Sequence, residues 1–188
     1  GSLMEGMAGA GVCVRLDGED RELFFPLGQY TSVFQAEVYA ILACVSELLS
    51  IGVTGRNVVI CSDSQATLRA LTSCRISSAL VNECEAAVTR LCTDNTVSLA
   101  WVPGHSGIDG NERADVLARA GSSSVFVGPE PVAGASPAVG KLAIRNWVAR
   151  EHRRLWRSTR ACRQAKELIS GPSKSFTRKL IQLPRQVV

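Results

Sequence analysis

Hydrophobic and polar positions divide the first 121 residues into short runs of two different periods. Ala8–Leu16 (AGAGVCVRL) reads as a strand opened by small residues, Asp17-Gly18-Glu19-Asp20 as a turn, and Arg21–Leu27 as a returning strand. Together they predict an antiparallel hairpin, preceded only by Gly1–Met7, a short loop. From Val33 to Ser50 the period lengthens. Phe34, Val38, Ile41, Leu42, Val45, Leu48 and Leu49 make one helical stripe, and Thr31-Ser32 offers a cap. Gly52–Asn57 is a loop. Val58–Cys61 is continuously apolar, which predicts a strand covered on both faces. It runs into Ser62-Asp63-Ser64-Gln65 and then a helix over Ala66–Leu71. Ser77–Cys92 is amphipathic through Leu80, Val81, Cys84, Val88 and Leu91. Val97–Val102 is a strand that ends at Pro103-Gly104. A polar loop carrying His105 follows, and Asn111-Glu112-Arg113-Ala114-Asp115 opens a last helix. The order β-β-α-β-α-α-β-α predicts an α/β layered fold with a mixed sheet.

The pattern changes after residue 121. Ser122–Gly140 is rich in Ser, Gly, Pro and Ala and reads as a linker. Leu142–Ile169 reads as one helix studded with Arg. Its Leu142, Trp147, Leu155 and Trp156 can pack back on the domain or face another segment. Gly171-Pro172 ends this helix, and Lys174–Val188 is basic and apolar. The expected organisation is a domain over 1–121, a linker over 122–140 and a basic helical tail over 141–188. Charge sharpens the division. Residues 1–121 hold 8 Lys and Arg against 14 Asp and Glu, a net −6; residues 122–188 hold 13 against 3, a net +10. The tail is therefore the better candidate for contact with phosphates.

Composition excludes other classes. The longest apolar run is far short of a membrane span, no secretory leader pattern is present, and no membrane is expected as a partner. The seven Cys include no CxxC pair and mostly fall in apolar periodic segments. They read as small core residues of a protein in a reducing compartment, nuclear or cytoplasmic.

Candidate chemistry rests on three carboxylates: Glu37 early in the first long helix, Asp63 where a strand hands over to a helix, and Asp115 on the last helix of the domain. Taken singly, Glu37 is also a dipole-favoured helix residue and Asp63 also an N-cap. Taken together, they are oxygen ligands of the kind that hard divalent cations take in phosphodiester chemistry. Spacing alone does not establish that they converge. His105, between glycines, has an imidazole suited to proton exchange near neutrality.

The segments Gln35-Ala36-Glu37, Ser62-Asp63-Ser64-Gln65, and Trp101–Gly107 through Asn111–Asp115 resemble a type 1 ribonuclease H domain over about residues 1–121. The wording VFQAE, SDSQA and WVPGHSGIDGNERAD is most similar to the ribonuclease H domain of insect non-LTR retrotransposon polyproteins. Cys162–Lys166 and the tryptophan-bearing helix resemble the region that follows it there. The resemblance implies a ribonuclease H-like three-layer fold and endonucleolytic cleavage of the RNA strand of an RNA·DNA hybrid. It implies two Mg²⁺ ions, with Mn²⁺ able to substitute, and partner segments of a reverse transcriptase polyprotein. Glu37, Asp63 and Asp115 match three of the family's four metal-site acids, and His105 matches its turnover histidine. Gln35, Ser64 and Gln65 are the expected readers of the hybrid's shallow groove. Asn111 is a loop or phosphate contact, or a helix cap. One departure stands out. The family's first acid belongs to an Asp-Gly-Ser motif, and Gly1-Ser2 resembles its last two letters. The expectation is that the first strand and its Asp are missing and that activity is impaired. The alternative is a non-catalytic nucleic-acid-binding or connecting module of such a polyprotein.

Overall fold

The computed structural model describes residues 1–73, 78–169, 171, 173, 178 and 182. Cys74, the start of the helix expected from Ser77, Pro172 and almost all of Lys174–Val188 lie outside them. Ser2–Met4 (β1), Met7–Leu16 (β2) and Glu19–Gly28 (β3) form an antiparallel sheet in that order. Val33–Ser50 (α1) follows, then Asn57–Ser62 (β4), Gln65–Leu71 (α2), Ala79–Leu91 (α3), Thr96–Trp101 (β5) and Asp109–Ser123 (α4). β4 and β5 pair in parallel, Asn57 opposite Thr96 and Ser62 opposite Trp101.

The expected loop at Gly1–Met7 thus contains a strand. Ser2 pairs with Gly9 and Met4 with Met7 across a turn at Glu5-Gly6, both at positive φ. Asp17-Gly18 turns β2 into β3 in the same left-handed way, the favoured geometry for two-residue hairpins. Alternation along β2 sorts its residues by face. Ala8, Ala10, Val12 and Val14 are buried with the α1 side of the molecule. Gly9 and Gly11 face α4, where added Cβ atoms would lie 2.1 Å from the Ser122 amide nitrogen and 2.2 Å from the Ala114 carbonyl oxygen. The small residues at the start of β2 therefore let a helix backbone rest directly on the strand.

Ser32 caps α1 in a reciprocal box with Gln35. By length and composition α1 passes for a membrane span, at a mean hydropathy of 1.4 over 18 residues. Counting unbroken apolar residues hid this, because Gln35, Glu37, Ser46 and Glu47 interrupt the run. In the fold Val38, Ile41, Val45 and Leu48 bury its stripe against Val12, Val14, Ile60, Leu80, Val81 and Leu91. Each such side chain contributes about 1.5–3 kcal/mol by leaving water.

β4 departs from expectation. Ile60 is buried, but Val59 is 60% exposed and Cys61 is exposed, so the strand is covered on one face only. Between the two sheets runs a groove. Leu16 and Asp17 of the hairpin face Arg56 and Asn57 at one end, and Gly11 faces Ser62 and Asp63 at the other. β2 and β4 are thus antiparallel across it. Among the described residues, neither Ala10–Leu16 on this side of β2 nor the facing edge of β4 has a ladder partner.

The chain divides into two compact units, Gly1–Ser136 and Pro137–Val188. The stretch expected as a linker is used by both. Ser122 and Ser123 end α4, the Glu130 carboxylate accepts from the Gln29 amide, and Ala133 and Gly134 accept from Gln35. The second unit begins with Pro137–Ser158 (α5) and continues with Arg163–Leu168 (α6). One helix was expected here. It breaks because the Ser158 and Thr159 hydroxyls both turn back to the Leu155 carbonyl and Cys162 adopts a left-handed φ of 62°.

Candidate active site

The residues of interest come from three separate elements at one end of the groove. Glu37 lies in the second turn of α1, with a side chain 16% exposed and Oε1 2.5 Å from the Gly1 ammonium. Burial pushes its carboxyl pKa up. The ammonium opposes that shift, while the negative charges of Asp63 and Asp115 add to it. Asp63 follows the last residue of β4. The Trp101 indole donates to its backbone carbonyl at 3.0 Å, and the Val102 amide donates to the Ser62 carbonyl at 3.1 Å. These bonds tie the ends of β4 and β5 together. The N-cap of α2 is Ser64, whose hydroxyl accepts from the Thr67 amide, so the Asp63 carboxylate is not the cap.

Asp115 is held by α4, which Gly9 and Gly11 seat on β2. Its side chain is 20% exposed, and its Oδ2 is buried with no hydrogen-bond donor among the described residues; His105 Nδ1 stands 3.4 Å away. One turn earlier, Asn111 Nδ2 is likewise buried without a partner. Buried polar atoms are normally satisfied, so two orphans side by side mark a place built for something else. Glu37, Asp63, Asn111 and Asp115 all line one cavity of about 270 Å³.

His105 is 71% exposed and has a φ of 50°. One of its ring nitrogens and one carboxylate oxygen each of Glu112 and Asp115 lie within 4.8 Å of one another. Glu112 was not singled out from the sequence. Its signal was the three-residue spacing to Asp115, which places the two on one side of a helix. The Glu112 carboxylate also accepts from the Gly107 amide, steadying the loop after His105. A buried acceptor without a donor and three carboxylates around one cavity form an oxygen-rich donor set. It fits a hard divalent cation, which Glu37, Asp63 and Asp115 would hold.

The expected groove readers fare differently. Gln35 requires correction. It is buried, its Oε1 accepts from Ser32, and its Nε2 donates to the carbonyls of Ala133 and Gly134 at 3.0 and 2.8 Å. Its side chain is occupied by the fold. Ser64 is engaged in its cap. Gln65 is exposed in the first turn of α2, where its Oε1 accepts from Arg69. Asn111 is inside α4 rather than at its cap, which is Ile108.

No curated protein matches the chain. Among solved structures, the crystal structure of RNase H1 from the halophilic archaeon Halobacterium salinarum NRC-1 is similar at 24% identity, covering 64% of this chain and 90% of that one, with a TM-score of 0.49. The RNase H family model matches residues 1–123, and with them the whole three-carboxylate cavity. The chain belongs to the RNase H family and has its α/β fold, with a helical C-terminal extension.

Proposed function

We propose that this chain is an endoribonuclease that cuts the RNA strand of RNA·DNA hybrids, and that it derives from the polyprotein of a retroelement carrying a reverse transcriptase. The supporting observation for the chemistry is the meeting of Glu37, Asp63 and Asp115 on one cavity beside an orphaned acceptor. The retroelement origin rests on the wording of the motifs around these acids. When bound, two Mg²⁺ ions supply the Lewis-acid activation of water and the neutralisation of the leaving oxygen.

The chain's own residues do the rest. Glu37, Asp63 and Asp115 hold the cations, and Asn111 Nδ2 is a buried donor without a partner on the same cavity wall, available to a phosphate oxygen. His105, exposed beside Asp115, accepts and returns protons and helps product leave. The described cysteines are free, which suits a reducing intracellular compartment. The family chemistry uses four acids, and this cavity brings together three of them. Glu5 and Asp17 sit at turns and do not line it.

The test is Mg²⁺- or Mn²⁺-dependent cleavage of a labelled hybrid. Slow cleavage is expected from the chain, and Asp63→Asn lowers it by about 10²-fold or more, the scale of losing one positioned charged group. The thermal midpoint stays unchanged. Undiminished cleavage by Asp63→Asn would overturn the assignment. Hybrid binding with no cleavage under any metal would favour a non-catalytic module instead.

A further inference from the structure

The second unit contains a surface that the cavity chemistry does not use. α5 carries Lys141, Arg145, Arg150, Arg153, Arg154 and Arg157 against a single acid, Glu151. It has no buried residue. Trp147, Arg150, Arg154 and Arg157 fall at i, i+3, i+7 and i+10, so all four lie on one face of the helix. All four are exposed, Trp147 by 57%. Among the described residues, Arg154 pairs with Glu151, while Arg150 and Arg157 have no carboxylate partner. Trp156 behaves differently. It is partly buried and donates to the Ile169 carbonyl at 3.0 Å, a bond internal to the unit. Among the described residues Trp147 has no such bond, and its ring lies on the basic face.

An arginine row with an exposed indole at its end combines the two contacts that hold an unpaired nucleic-acid strand: guanidinium to phosphate and aromatic face to base. A lipid surface fits less well. The apolar stripe Ile144, Val148 and Leu155 has Glu151 at the position that would continue it. We propose that α5 is a binding face for single-stranded nucleic acid, with Arg150, Arg154 and Arg157 on successive phosphates and Trp147 stacked on a base. The net −6 of residues 1–121 makes such a contact useful, because that part of the molecule repels a polyanion beyond its immediate site.

The experiment uses the full 188-residue chain in excess chelator, so that no cleavage occurs. Binding of a labelled oligothymidylate is followed by fluorescence anisotropy between about 50 and 200 mM NaCl. With three phosphate contacts, log affinity falls with log salt at a slope of about −2. Replacing Arg150, Arg154 and Arg157 together by Gln removes most of that slope. Trp147→Ala weakens binding by roughly 5- to 100-fold with the slope kept, and Trp147→Phe restores most of the loss. Far-UV circular dichroism checks that α5 persists. If the triple Gln variant loses helix, the single variants Arg150→Gln, Arg154→Gln and Arg157→Gln decide instead, each expected to flatten the slope by about 0.7. An unaltered slope in the triple variant, no binding at the lowest salt, or equal binding to polyglutamate or to phosphatidylglycerol vesicles would overturn the proposal.

Discussion

Gly104 has no side chain where Asp63 needs room: a Cβ there would lie 2.7 Å from Asp63 Oδ2. The Pro-Gly-His turn therefore leaves room for the Asp63 carboxylate as well as ending a strand. Gly104→Ala should displace the Asp63 carboxylate and reduce hybrid cleavage by up to about 10²-fold, since small misplacements of a reacting group are expensive. Its urea midpoint should change by no more than about 0.5 kcal/mol in stability, as at other exposed sites. A normal rate would show that the turn does not position Asp63. At this scale, Glu37, Asp63, His105 and Asp115 stand out in the sequence because each is embedded in a short local motif, and the fold sets the three carboxylates on one cavity. Gln35 was misread because the carbonyls that engage it lie 98 and 99 residues away, in a stretch whose composition suggested a linker. No local pattern announces such a contact.

The elements show how Asp115 is held in place. α4 rests on Gly9 and Gly11 and is fastened at its exposed edge by a belt of ion pairs. Arg113 donates to Asp20 and Glu22 of β3, and Arg15 of β2 donates to Asp20 and to Asp109 of α4. The Arg15 and Arg113 guanidiniums hold the Asp20 carboxyl far below the usual carboxylate range. A carboxylate with a depressed pKa stabilises the fold above its unfolded pKa and loses that contribution as pH falls. Asp20→Asn should therefore be less stable than the unmodified chain at neutral pH. The gap should begin to close below about pH 4 and should shrink in high salt. Urea titrations at both pH values measure it; a gap independent of pH would exclude the ion pairs as its cause. Helix and strand periods placed the long elements to within a few residues. β1 was missed because three residues carry no period, and the break between α5 and α6 because its cause is hydroxyl-to-carbonyl bonding and one left-handed residue.

At the scale of the whole molecule, the first unit is a pair of sheets rather than one, each packed on α1 or its neighbours, with a groove between them. The apolar run of β4 misled here. Continuous apolar character suggested cover on both faces, whereas α4 lies over β2 and β3 and leaves Val59 exposed. Beyond the short β1, the side of β2 over Ala10–Leu16 is open although β2 is the middle strand of its sheet, and it faces the free edge of β4 across the groove, the backbone groups on both sides unpaired among the described residues. Such edges are templates for any extended chain that meets them, including another copy of the same protein. The folded molecule is accordingly expected to associate before it unfolds: light scattering at fixed temperature should rise steeply with protein concentration, well below the unfolding midpoint. Val59→Lys, a charge set on that edge, should suppress the scattering without moving the midpoint, and scattering that persists would locate the association elsewhere. Shelf life in solution would then depend on an open edge beside the three-carboxylate cavity, and any extended segment that filled it would act as both solubiliser and neighbour to that cavity.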